Sequence, residues 1–483
     1  MLGKLRSFGK NNYFISASLL YVLGTVLLQG ISFLTTPIFT RIMDTSDYGI
    51  TAVFATWVTF IAVFISFQVS SSIASARIHM KEEEFTNYLR NITLLTVVSG
   101  TLIMSGGLLF ASSLAGLLSI KEKLIPHLML QSYGTSLSTL YGMYLIHTKQ
   151  PKTKIIFAGI VSISLVMLGL LLVFSMNDDR YLGRIWAGSI VNLFIIAFVL
   201  YTFLYNKKNA KFKLADWSFC LKLSWPLIIH LVATTIIGQS SRLFIVKFIG
   251  ETEAAIFTVA FSIGIIGMLI ADAFNNAWSP WYLDNTKNGQ KQQVNEYAKR
   301  YSMVISSGFV MIMLLTPELL RFMAPEPYWN GKYSVLLIAI GVFFQFLYRF
   351  PLGYEQFNKN MKWVAFCTIV AAVLNLGLNY LLVPLMGIEG AAIAILLSYI
   401  VLFLLHEFVA RVIIGGYNIR FSTYIPATSV ALLAFFLSYL TMDYFYFRLM
   451  VASGYATLFI FTAYRIWSGG TVPKLIKDRN GAR

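Results

Sequence analysis

Ile155-Ile-Phe-Ala-Gly-Ile-Val-Ser-Ile-Ser-Leu-Val-Met-Leu-Gly-Leu-Leu-Leu-Val-Phe-Ser-Met176 runs without one charged residue, directly after the basic loop Lys149/Lys152/Lys154. A helix needs roughly 20 apolar residues to cross the hydrocarbon core of a bilayer. Comparable windows lie on both sides, at 13–39, 50–72, 92–118, 125–147, 184–205, 225–249, 255–278, 302–323, 333–356, 363–383, 388–410, 423–441 and 445–466. Each is apolar on nearly every face, as a helix surrounded by lipid is. The expected fold class is an all-α integral membrane protein of about 14 transmembrane helices.

Composition agrees with this reading. The 483 residues are 57% hydrophobic and only 12% charged, with a mean hydropathy of +0.70; a soluble domain is about 25% charged. A net charge of +17 would suggest nucleic acid if it lay on one soluble face. Here the charges are scattered over short loops and no basic, aromatic-interleaved soluble segment exists, so nucleic acid is not expected as a partner. With the N-terminus in the cytoplasm, 27 of the 38 Lys and Arg residues fall in cytoplasmic segments and nine in outer ones, leaving Arg242 and Arg349 inside spans. The reversed orientation breaks the positive-inside bias. Both termini are therefore expected in the cytoplasm.

The run 13–39 is too long for a signal-peptide core and no cleavage pattern follows it, so it reads as the first permanent span. Cys220 and Cys367, the two cysteines, suit neither a structural disulfide nor a metal site. The longest loop, Pro280 to Tyr301, is too short for a soluble domain. Segment 207–223 is basic with spaced apolar residues (Phe212, Leu214, Trp217, Phe219), the pattern of a segment lying on the inner membrane surface and linking span six to span seven.

A faint internal repeat divides the chain. Arg41-Ile-Met-Asp-Thr-Ser-Asp47-Tyr-Gly-Ile50 joins spans one and two, and Lys247-Phe-Ile-Gly-Glu-Thr-Glu253-Ala-Ala-Ile256 joins spans seven and eight. The offset is 206 residues at both the basic and the acidic position. Six spans separate the copies, so the repeats run parallel, as in transporters built from two halves around an axis along the membrane normal. The expected division is an N-terminal lobe over 1–206, a basic cytoplasmic linker over 207–224, a C-terminal lobe over 225–411, and two appended helices with a basic tail over 412–483.

Charges inside spans are the strongest local signal. An Arg near a helix centre costs about 2.5 to 3.5 kcal/mol on insertion scales. Arg242 in span seven therefore needs a water-filled cavity, a carboxylate or an anionic ligand. Gln239 and Thr235 share its face, at spacings of three and four. Asp272 in span eight is the one carboxylate placed deep in a span; it either pairs with Arg242 or titrates as a group coupling transport to H+ or Na+. Arg349 in span ten is long enough to snorkel, with Glu355 near the cytoplasmic end of the same span as a further coupling or ion-pair candidate. Arg41 and Lys247 end the repeat-related spans, where they either contact cargo at an outer gate or anchor the interface. Thr25, Gln29, Ser32 and Thr36 form a polar stripe on span one, and Asn375 and Asn379 another on span eleven. Such stripes face water or hold helices together. His147 and His230, near span ends, read as ordinary polar contacts.

No G-x-x-x-x-G-K-[ST] phosphate loop and no H-E-x-x-H zinc helix occurs. No paired carboxylates and no Ser/His/Asp or Cys/His arrangement stands out. The expectation is a transporter rather than an enzyme, with no metal site and no cofactor beyond a coupling ion.

Phe33-Leu-Thr-Thr-Pro-Ile-Phe-Thr-Arg41 followed by Ser46-Asp-Tyr-Gly49, and Ser241-Arg-Leu-Phe-Ile-Val-Lys-Phe-Ile-Gly250, resemble the opening and the seventh-span segment of polysaccharide transporters and O-antigen flippases. Those belong to the multidrug/oligosaccharidyl-lipid/polysaccharide exporter superfamily. The resemblance implies two six-helix lobes rocking around a central cavity in a bacterial cytoplasmic membrane. It implies an undecaprenyl-pyrophosphate-linked oligosaccharide as cargo, turned from the inner to the outer leaflet for surface polysaccharides such as O-antigen lipopolysaccharide, with polysaccharide polymerase machinery as a further partner. It also implies a lipid-tail groove at spans thirteen and fourteen. Many relatives carry an acid just before the span-seven Arg; this chain has Ser241. Arg242 first and Arg349 second are the expected headgroup contacts, because a pyrophosphate carried through a low-dielectric region needs fixed positive charge. The alternatives are a cation-coupled multidrug exporter of the same superfamily, a membrane-embedded glycosyltransferase or polymerase, and a transporter of the major facilitator type. Two arginines against one aspartate inside spans argue against the first. No large outer loop or acidic cluster supports the second. The loop after span two lacks the Gly/Asp/Arg turn of the third.

Overall fold

The computed structural model describes residues 30, 33–205 and 211–468, and its regular structure is helical throughout. The helices are α1 (33–42), α2 (Thr45–Ser66), α3 (Ile73–His79), α4 (Glu82–Leu109), α5 (Ala111–Leu118), α6 (Ile125–His147), α7 (Pro151–Phe174), α8 (Arg180–Leu200) and α9 (Leu214–Phe248). There follow α10 (Glu251–Gly264), α11 (Ile266–Lys287), α12 (Lys291–Leu314), α13 (Thr316–Met323), α14 (Lys332–Leu347), α15 (Arg349–Phe357), α16 (Met361–Phe408), α17 (Ile425–Leu440) and α18 (Phe445–Ser468). Among the described residues, eight helical stretches are long and apolar enough to cross a membrane, or nine if α12 and α13, bent by 68°, count as one. Helices α17 and α18 are shorter apolar elements. The protein is an all-helical, multi-pass membrane protein. Most of the expected first span lies outside the described residues.

Local chemistry sets several helix ends. Pro occupies the first turn of α6, α7 and α17, where its missing N–H leaves no bond unmade. Glu82, Glu83 and Glu84 open α4, where the helix dipole favours negative charge. The stretch 361–408 covers both windows 363–383 and 388–410. The structure breaks it at Gly387, whose φ of 63° and ψ of −138° lie outside helical space and are open to glycine.

Two expected loops are largely helix. The expected cytoplasmic loop from Pro280 to Tyr301 is taken up by α11 and α12, with only residues 288–290 between them. The expected surface-lying linker 207–224 is helical from Leu214 onward and continuous with the seventh window. Its anchors point to the N-terminal half. Trp217 Nε1 donates to the Asn91 carbonyl at 2.7 Å, and Asn91 Nδ2 donates to Asp216 at 2.6 Å. Ser224 donates to the Gln68 carbonyl at 3.1 Å. Cys220 is buried in the N-terminal cluster with Tyr88, Leu137, Tyr141 and Phe203. Of its spaced apolar residues, Trp217 and Phe219 pack against that cluster, whereas Phe212 and Leu214 stay exposed.

A larger core runs through both halves, from Phe39, Tyr48 and Phe54 to Ile256, Phe257, Tyr328 and Phe343. Helix α2 packs on α10, and both begin at repeat-equivalent positions, Thr45 and Glu251. Gly49 permits the approach: a Cβ there would stand 1.8 Å from the Glu251 carbonyl oxygen. Tyr48 meets Tyr328 edge-on at 6.2 Å, and Thr40 donates to the Met323 carbonyl at 2.8 Å.

Candidate functional site

Arg242 sits on α9 with its side chain 6% exposed. Its Nη1 donates to Gln239 Oε1 at 2.6 Å, its Nε donates to Thr258 Oγ1 on α10 at 3.1 Å, and its guanidinium lies 4.5 Å from the Phe261 ring centre. The pairing of Arg242 with Gln239 follows from their spacing of three on one helix face. Thr235 shares that face but turns its hydroxyl back to the Leu231 carbonyl at 2.7 Å. Arg242 forms no ion pair among the described residues.

Asp272 does not pair with Arg242; its partner is Arg349, at 2.5 Å. The reason is helix length: Asp272 lies 21 residues beyond the start of α10, about 30 Å along the α10–α11 path, whereas Arg242 packs near that start, against Thr258. The side chain of Asp272 is 45% exposed and that of Arg349 22%, so this pair faces open space. Arg349 lines a cavity of about 440 Å³ together with Asn275, Ser279, Trp278, Tyr282 and Gln356.

Glu355, the coupling or ion-pair candidate near a span end, has His406 as its partner. It is fully buried, with both carboxylate oxygens 2.8–2.9 Å from His406 Nδ1 on α16. His406 is equally buried, its ring lies 5.4 Å from that of Tyr348 at a tilt of 45°, and its Nε2 has no hydrogen-bond partner among the described residues. Buried ionisable groups of this kind persist where a partner holds them.

Arg41 spends its donors on carbonyls: Pro37 at 2.8 Å, Phe322 at 3.1 Å and Arg321 at 3.2 Å. It clasps the end of α1 to α13. Lys247 is exposed, with its ammonium 5.7 Å from the Phe248 ring centre. Gln29 lies outside the described residues, as do Thr25 and Ser32. The span-eleven stripe holds helices together. Ser240 donates to Asn375 Oδ1 at 2.9 Å, Asn379 Nδ2 donates to the same oxygen at 3.0 Å, and Asn375 Nδ2 donates to Ser398 at 3.1 Å. His230 makes an ordinary contact to Thr368 Oγ1 at 3.1 Å.

Two residues escaped the sequence reading. His406 lies inside an apolar window, and the rule that singled out Arg242 would have found it. Arg184, near the start of α8, reads as a loop charge, yet it lines a second cavity. Among the described residues, no group of three His, Cys, Asp or Glu side chains could hold a metal ion.

Comparison with known proteins places this arrangement. A family profile described as "Polysaccharide biosynthesis protein" matches residues 15–286. The "Lsg locus putative protein 1" of Haemophilus influenzae is 17% identical over 370 residues, covering 74% of this chain and 88% of its own. Lipid II flippase MurJ, in an inward closed conformation, superposes with a TM-score of 0.69 at 15% identity, over 93% of this chain and 99% of that one. An inward-facing MATE-family multidrug resistance transporter of the MOP superfamily gives 0.66 at 15% identity, over 82% and 98%.

Proposed function

This chain belongs to the polysaccharide biosynthesis protein family and has the fold of MOP-superfamily membrane transporters; from that premise we propose that it is a flippase for undecaprenyl-pyrophosphate-linked oligosaccharides. The cargo passes from the inner to the outer leaflet by alternating access between two six-helix lobes, 1–206 and 225–411. Residues 412–483 add two spans to complete fourteen, and both termini face the cytoplasm. The observation that carries this reading is Arg242: a buried guanidinium within a transporter fold, held by neutral partners and paired with no carboxylate among the described residues. Such a group offers its charge to an anion, and a pyrophosphate is the anion this family's chemistry supplies.

Arg349 is the second headgroup contact in this reading, released from Asp272 when the cargo arrives. Gln239 orients Arg242. Asp272 takes up the coupling ion, H+ or Na+, and Arg41 and Lys247 belong to the gate at the repeat-related end. The tight contact of Gly49 with Glu251 supports a state closed at that end.

The test is Arg242→Ala in cells. The variant is expected to insert normally, abolish surface polysaccharide and leave labelled lipid-linked units on the cytoplasmic face. Normal export by an inserted variant sinks the reading. The fold likeness to a multidrug transporter gives the second reading, in which loss of the chain changes drug sensitivity and leaves the units appearing outside at the usual rate.

A further inference from the structure

A cavity of about 300 Å³ lies wholly within the N-terminal half, between α1, α2, α6, α7 and α8. Its polar wall is Arg184, Thr35, Thr51, Gln131 and Ser162. The Arg184 guanidinium lies over two aromatic rings, 4.6 Å from the Phe39 ring centre and 5.2 Å from that of Tyr48. Cation–π contacts of this kind use none of its N–H donors. One long hydrogen bond, Nη1 to Thr51 Oγ1 at 3.4 Å, joins it to the wall.

No carboxylate pairs with Arg184 among the described residues, and none lines the cavity. Asp47 accepts the Tyr181 N–H at 3.2 Å, and Asp179 pairs with Lys123 at 2.9 Å. The next cation on the helix, Arg180, donates to the Ile42 carbonyl at 2.5 Å. Arg184 therefore brings a positive charge and most of its donors to a space whose lining holds no carboxylate, an arrangement that favours an anion.

We propose that this cavity is an oxyanion-binding site, with Arg184 gripping a phosphate or carboxylate group and Thr51, Gln131 and Ser162 around it. The volume suits a phosphate, a pyrophosphate or one acidic sugar and excludes a lipid-linked oligosaccharide. The site is separate from Arg242 and does not rest on the flippase reading.

The experiment places a thiol in the wall, Ser162→Cys, in the full-length protein, and follows its modification by a small methanethiosulfonate reagent. The parent chain, whose Cys220 and Cys367 are buried, sets the background. The introduced thiol is expected to react, and inorganic pyrophosphate or glucuronate at matched ionic strength is expected to slow the reaction saturably. Protection by pyrophosphate alone identifies a phosphate site; protection by glucuronate alone identifies a carboxylate site. Adding Arg184→Gln is expected to abolish protection, while Lys152→Gln, an equal charge removal at an exposed position, leaves it intact. Should the Gln variant not fold, Arg184→Lys keeps the charge but loses the fork, and half-protection is expected to need about tenfold more ligand. An unreactive thiol at this position, absent protection, or equal protection with Arg184 replaced overturns the proposal.

Discussion

The two ends of the helix bundle are built on opposite principles. At the end holding residues 41–50 and 247–256, backbone meets backbone: Gly49 lies against Glu251, Tyr48 against Tyr328, and Arg41 gives its donors to carbonyls of α13. About 30 Å away along α10 and α11, the ion pair Asp272–Arg349 borders a cavity and stays partly exposed. Just beneath it, Glu355 and His406 form a wholly buried pair. One end is closed by shape, which tolerates no added atom. The other is held by polar pairs, the part-exposed Asp272–Arg349 ion pair and the buried Glu355–His406 hydrogen bond, which a proton, an ion or a ligand rearranges.

Removing one partner of the buried pair is expected to have the largest effect. His406→Leu leaves the Glu355 carboxyl without its partner, and breaking a buried pair costs about 3–5 kcal/mol. A thermal unfolding midpoint in detergent equal to that of the parent would show that the buried pair does not hold this end. Next comes the sealed end. Gly49→Ala forces a methyl into the Glu251 carbonyl, a strain of about 1–3 kcal/mol, relieved only by parting α2 from α10. The expected result is impaired transport with greater thiol-reagent access to a cysteine placed at Thr45; unchanged access and transport would mean the seal is looser than its geometry. The smallest stability change belongs to Asp272→Asn, within about 1 kcal/mol because the pair is part-exposed. Its expected signature is functional, an altered dependence of transport on the proton or sodium gradient. If that dependence stays the same, Asp272 serves only to position Arg349.

The sequence showed where long apolar helices lie far better than which side chains meet. Apolar windows located the helices because lipid imposes one requirement on every face of a span. The 206-residue repeat offset anticipated that α2 and α10 begin at equivalent positions, since both copies carry the same short loop chemistry. Partner choice was not legible. Asp272 had two arginines to choose from, and only the packing of α14–α15 beside α11 selects Arg349. Glu355 read as a coupling or ion-pair candidate without a partner, because nothing local reveals that His406, 51 residues later, folds onto it. Arg184 was hidden by its position: a cation at a helix start counts as a loop charge until the aromatic rings of Phe39 and Tyr48 are seen around it. Segment 214–224 divides between both fates, because an amphipathic face looks the same whether lipid or protein covers it: Trp217 and Phe219 pack on protein, and Leu214 stays exposed.

Helix α9 carries a mechanical implication. Its first turns are pinned to one half of the molecule through Trp217, Asp216 and Ser224, and its later turns are bonded to the other through His230–Thr368, Ser240–Asn375 and Arg242–Thr258. A rod fastened at both ends cannot act as a slack tether. In the alternating-access reading, displacing either half by a few ångströms flexes or rolls that rod, and the stretch between Ser224 and Ala233, which contains Pro226, is the elastic joint that this reading requires.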